Sequence, residues 1–207
     1  MKTRFSAWIG LGRPMALTLA LLSPAVAQAQ FSDNYNFLKA VKDADGQNPT
    51  DLIQTPGSTV INSRDVSTGE TALHIVIARR DNAWLGFLLG KGANPNLADN
   101  QGNTPLMKAV QGRFEEGART LIARGAQIDK PNGSGETPLI RAVQLRDLGL
   151  VRLLVAQGAS ADKRDAIAGM SARDYANRDS RTPGLVDAIN AAKPAAAPKG
   201  PVQGPVF

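Results

Sequence analysis

Apolar residues in the central part of the chain fall into two helical blocks per unit, and the unit itself recurs. The longer block reads Trp84, Leu85, Leu88 and Leu89, then Ala118, Leu121 and Ile122, then Leu150, Val151, Leu154 and Val155. Spacings of one, three and four place each set on one face of a helix. A shorter block precedes each, around Leu73, Leu106 and Leu139. Steps of 33 residues relate those three leucines, then Leu88, Leu121 and Leu154, then Gly92, Gly125 and Gly158, then Asn96, Asp129 and Asp162. A fixed period of this size over three copies predicts a stacked, all-α array in which neighbouring helix pairs share one elongated core.

Polar positions mark where each helix starts and stops. Gly69, Gly102 and Gly135 open the units, in tight turns that favour a residue without Cβ. Thr71, Thr104 and Thr137 follow as N-cap residues whose hydroxyls accept from free backbone N–H groups. Pro105 and Pro138 then take the first helical position, which Ala72 fills in the first copy. Gly92, Gly125 and Gly158 end the second helices as left-handed C-cap residues. The regular units are residues 64–97, 98–130 and 131–163.

The flanks are degenerate versions of the same unit, as expected where one face of a stack meets water. Residues 30–63 form an amino-terminal capping unit. It has a helix over 36–43 with Phe37, Leu38 and Val41 inward, a break at 46–49, a short helix from Thr50 to Ile53, and a closing segment Val60, Ile61 and Asn62. Residues 164–192 form a closing unit. There Gly169, Met170 and Ser171 keep the turn and cap, Arg173 replaces a leucine, and Leu185, Val186 and Ile189 supply a last helix. Residues 193–207, rich in Pro, Ala and Gly, are expected to be disordered.

The first 29 residues read as a signal peptide. Lys2, Arg4 and Arg13 form a basic lead, residues 15–22 are apolar, and cleavage is expected after Ala29 or Ala27. The apolar run is too short to span a bilayer, so no stable membrane anchor is expected. Without those three cations the net charge of +6 is halved, too mild by itself to imply nucleic acid. The chain holds no cysteine and one histidine. Disulfides, thiolate zinc sites and multi-histidine metal sites are thereby excluded, and the lack of disulfides fits a periplasm. No phosphate loop, nucleophile elbow or paired-carboxylate motif is present, so neither cofactor nor catalytic residues are expected. A monomer is expected.

Thr104-Pro105-Leu106-Met107-Lys108-Ala109 and Thr137-Pro138-Leu139-Ile140-Arg141-Ala142 resemble the Thr-Pro-Leu-His-x-Ala motif of the ankyrin repeat. Thr71-Ala72-Leu73-His74-Ile75-Val76 is a looser copy, and Leu88-Leu89-Gly90-Lys91-Gly92-Ala93 resembles the family's second signature. The resemblance covers residues 34–192 and implies a solenoid of helix-turn-helix units that binds another protein, with His74 as a structural histidine. It also implies which residues a partner touches, on the turn tips and the open face of the first helices. They are Ser67, Thr68, Glu70, Ile75 and Ala78; Asn100, Gln101, Asn103, Lys108 and Gln111; and Gly133, Ser134, Glu136, Arg141 and Gln144.

One further row stands out. Arg80, Arg113 and Arg146 recur at the ends of the first helices, where the family usually has Gly. Cations there complement the negative helix ends, with Asp81, Glu115 and Asp147 as expected partners. The alternative is a stripe for an anionic partner. For the whole chain, an adaptor, inhibitor or stress-protective partner of another envelope protein is the first expectation, and a small envelope hydrolase with a cryptic site is the second.

Overall fold

The computed structural model describes residues 24–43, 51, 53 and 60–191. Expectations for residues 1–23 and 192–207 lie outside them, as does most of the segment between 44 and 59. The described elements are helices joined by turns and one 3-10 segment, Val60–Asn62. In chain order the helices are α1 (Pro24–Lys42), α2 (Ala72–Ala78), α3 (Asn82–Gly90), α4 (Pro105–Gln111) and α5 (Glu115–Ala123). They continue with α6 (Pro138–Gln144), α7 (Leu148–Ala156), α8 (Ala172–Arg178) and α9 (Leu185–Asn190). Among the described residues no helix is long and apolar enough to cross a membrane, and no acid and histidine cluster could hold a metal ion.

The units stack as two layers. The first helices α1, α2, α4, α6 and α8 pack each on the next, and so do the second helices α3, α5, α7 and α9. Leu88, Leu121 and Leu154 are all fully buried, one per unit, in a single cluster that runs from Phe37 to Ile189. No helix pair encloses a core alone; stacking closes it.

Local chemistry sets the helix ends. Thr104 and Thr137 accept from Met107 N and Ile140 N at 3.2 and 3.3 Å, with proline next in the chain. Asp81 and Asp147 cap α3 and α7 by accepting from Trp84 N and Leu150 N at 3.0 and 3.1 Å. The α5 start departs from this scheme. Phe114 precedes it with no side-chain cap bond and is buried instead. A Cβ on Gly117 would lie 2.4 Å from the Phe114 ring, so the helix carries glycine where the ring sits.

Two expectations need correction. The first helix begins at Pro24 rather than residue 36, because the Ala-rich stretch ahead of it favours helix; it runs through both proposed cleavage points. Trp84 and Ile122, assigned to the main apolar row, are only partly buried at its margin.

Leu121 makes no contact with water and lies mid-stack. Leu121→Ala should lower unfolding free energy by about 2–5 kcal/mol, measured by urea denaturation.

Candidate protein-interaction surface

Each unit begins with a finger-like turn built on one acceptor side chain. In the first, Asp65 Oδ1 accepts from Ser67 N and Thr68 N at 2.9 and 3.1 Å. In the second, Asp99 Oδ1 accepts from Gln101 N and Asn103 N at 2.9 and 2.8 Å. Asn132 does the same for Ser134 N and Glu136 N, and Asp165 for Ile167, Ala168 and Gly169. The Ser67 hydroxyl, which also donates to Asp65 Oδ1 at 2.6 Å, contributes most to holding the Asp65 carboxyl well below the usual range, with the two amides adding to it, while at Asp165 the larger cause is the Tyr175 hydroxyl, which donates at 2.6 Å.

The fingers are joined to each other. Asn100 N donates to Thr68 O at 2.9 Å, Gly133 N to Gln101 O at 2.9 Å, and Ala166 N to Ser134 O at 3.1 Å. The closeness explains Gly102, whose φ is 79°: a Cβ there would lie 2.4 Å from the Gly133 nitrogen. The result is a continuous hydrogen-bonded strip along one edge of the stack.

On this strip Ser67, Thr68, Asn100, Gln101 and Gly133 are exposed, as is Ala78 on the neighbouring helix. Glu70, Lys108, Gln111, Ser134, Glu136, Arg141 and Gln144 are partly exposed. Lys108 Nζ bridges Glu70 Oε1 at 3.2 Å and Asp99 Oδ2 at 3.8 Å, joining two units, while Arg141 binds Glu136 at 2.6 Å within one. Ile75 and Asn103 do not stand on the surface. Ile75 is 7% exposed in the shared apolar cluster, beneath the contact of α1 with α2. Asn103 is 3% exposed, its amide donating to Asp99 and Gln101 and accepting from Gln111 at 3.1–3.2 Å.

Arg80, Arg113 and Arg146 lie at the other ends of the first helices. Their expected partners are only partly right. Arg119 takes Glu115, and Arg79 takes Asp81. Arg113 reaches Asp147 of the following unit at 3.5 Å, and Arg146 reaches Asp179 at 3.0 Å. Each guanidinium reaches into the following unit, and each of these residues has a left-handed backbone.

Sequence reasoning missed the apolar end of the strip. Tyr35 is 63% exposed and Val66 80%, and both line a hollow of about 500 Å³ with Leu38, Lys39, Lys42 and Arg64. Ile167, 80% exposed, is an outward apolar residue in the finger near the far end. The available signal was an isolated branched aliphatic residue in an otherwise polar turn.

A stack of helix pairs with a linked row of finger turns is a repeat scaffold, a class that offers an extended face rather than an enclosed pocket. The model of the family "Ankyrin repeats (3 copies)" matches residues 29–132 and 85–165. The chain belongs to the ankyrin-repeat family. It is 34% identical over 83 residues to an ankyrin repeat protein of fowlpox virus, covering 40% of this chain and 24% of that protein. It is 44% identical over 52 residues to the nuclear factor NF-kappa-B p110 subunit of Drosophila melanogaster, covering 25% of this chain and 5% of that one. The chain thus matches less than a quarter of each relative's length.

His74 joins the strip to the stack. Its Nε2–H donates to Asn103 O in the next finger at 3.0 Å, so Nδ1 is the acceptor for Thr71 N at 3.1 Å and the Thr71 hydroxyl at 2.9 Å. Burial depresses the imidazole pKa below its ordinary value; the Asn103 carbonyl and the carboxylates of Asp99 and Glu70 oppose the shift, while Lys108 adds to it. The unfolded chain therefore takes up a proton before the folded one does. The stability from neutral His74 is complete above about pH 6.5 and drains away as pH falls from there through the folded pKa. His74→Met, the side chain that Met107 buries at the same point of the next unit, should flatten the slope of unfolding free energy between about pH 7 and 5. An unchanged slope in urea titrations would contradict this assignment.

Proposed function

We propose that the chain is an exported interaction module of the bacterial envelope that grips another protein along its finger strip. The observation that carries this is the backbone ladder linking four fingers, which fixes exposed side chains of successive units in one register. A preformed strip loses little conformational entropy on binding, so contacts made by Ser67, Thr68, Asn100 and Gln101 count more fully toward affinity. Apolar contact is concentrated at the ends, in the Tyr35–Val66 hollow and at Ile167, where exposed hydrophobic side chains mark docking positions. Export rests on the basic and apolar lead of the first 29 residues followed by small residues at Ala27 and Ala29.

The partner is a folded protein or an extended segment long enough to run past several fingers, since a stable interface buries on the order of 1,000 Å² or more. A triple variant, Tyr35→Ala with Val66→Asp and Ile167→Asp, changes exposed residues alone. It should keep the helical circular-dichroism spectrum and lose about tenfold or more in recovery of a cross-linked envelope partner, as expected when apolar anchors are removed. Recovery of the same partner at wild-type yield would count against the strip. Export is tested separately. Residues 1–35 fused to alkaline phosphatase should give activity in the envelope fraction, and activity absent from it would remove the envelope assignment while leaving the binding face untouched.

A further inference from the structure

Arg80, Arg113 and Arg146 are the non-glycine residues with positive φ among those described, at 58°, 52° and 55°. This region crowds any residue with a Cβ, and glycine enters it freely. Three residues of one kind, at one repeat position, hold the same unfavourable backbone. Such strain persists where surrounding contacts demand it.

Their side chains share one target. Arg80 Nη2 donates to the carbonyl of Gly112, and Arg113 Nη2 donates to Leu145 O at 2.6 Å. Gly112 and Leu145 are the C-cap residues of α4 and α6. Arg146 reaches Asp179, the C-cap residue of α8, and there the acceptor is a carboxylate at 3.0 Å. The remaining junction is bridged in the reverse direction, since Arg79, the C-cap residue of α2, donates through Nη1 to Val41 O in the last turn of α1 and to Lys42 O at 3.4 Å. Every junction between successive first helices, from α1 to α8, therefore carries a guanidinium at the C-terminal end of a helix, on a main-chain carbonyl at three of them and on the Asp179 carboxylate at the last. Arg80, Arg113 and Arg146 each reach forward along the stack from a left-handed backbone.

We propose that this row is a set of tie-bars that makes the helix pairs open and close as one body instead of unit by unit. A repeat array is stabilised by unit terms and nearest-neighbour terms, and its cooperativity depends on the second kind. Each tie adds to a neighbour term and draws on the intrinsic term of its own unit through the strained φ. The exchange favours joint unfolding.

Arg113→Gly separates this from mere tolerance of arginine, because glycine relieves the backbone and deletes the tie. The full chain should then unfold in urea with its m-value lowered by about a quarter or more, as joint unfolding breaks up. Native-state hydrogen exchange should become unequal, with amides of α2 and α3 differing about tenfold in protection from those of α6 and α7. Arg124→Ala, at the exposed end of α5 and outside the row, should change neither reading. An Arg113→Gly chain with an unchanged m-value and uniform exchange overturns the proposal, whatever its midpoint does. The outcome is independent of partner binding and of export.

Discussion

Short helices leave their own ends unfinished, and that constraint governs this chain. The first helices of the units have seven residues in α2, α4, α6 and α8. A helix that short has more free N–H and C=O groups at its ends than it has internal bonds. The groups at the N-terminal ends are met by Thr104, Thr137 and Ser171, and at α2 by the Thr71–His74 pair. At the C-terminal ends the next backbone N–H groups take Val110 O and Ala109 O in α4 and Val143 O and Ala142 O in α6, and arginines of the preceding unit reach the C-cap carbonyls of Gly112 and Leu145. The solenoid is thus built from helices that would not hold in isolation.

The finger edge follows the same logic with different groups. A finger has no helix to absorb its amides, so Asp65, Asp99, Asn132 and Asp165 turn them inward and the leftover amides of Asn100, Gly133 and Ala166 go to the preceding finger. Once these bonds are made, the outward side chains stay exposed while keeping local bonds, Ser67 to Asp65, Asn100 to Ser67 O and Gln101 to Asn103. Asn103 shows the opposite case. It sits one step too deep, and every polar atom of its side chain is consumed by Asp99, Gln101 and Gln111. Surface polarity in the sequence and availability to a partner are therefore different properties.

Periodicity made the stack legible in advance. Leu88, Leu121 and Leu154, the threonine caps and the glycine turns follow from patterns that are local or strictly repeated, and all are found where those patterns put them. What was hidden depends on contacts across units. Ile75 occupies the same repeat position as Lys108 and Arg141 yet is buried within the shared apolar cluster. Arg113 has an acid two residues away in Glu115 but binds Asp147 in the following unit, while Glu115 pairs with Arg119. The hollow at Tyr35 and Val66 joins residues from two units and has no linear motif.

The apolar seam cannot by itself decide how one unit is rotated on the next. Burial of leucine rows is non-directional and tolerates sliding at little cost. Hydrogen bonds do not, since a small misalignment weakens them steeply. Here they occur on both sides of the seam, backbone ladder along the fingers and guanidinium ties along the helix ends. One such line would act as a hinge about which units could rock. Two lines separated by the width of the stack remove that freedom, and the position of one finger then specifies the position of the next.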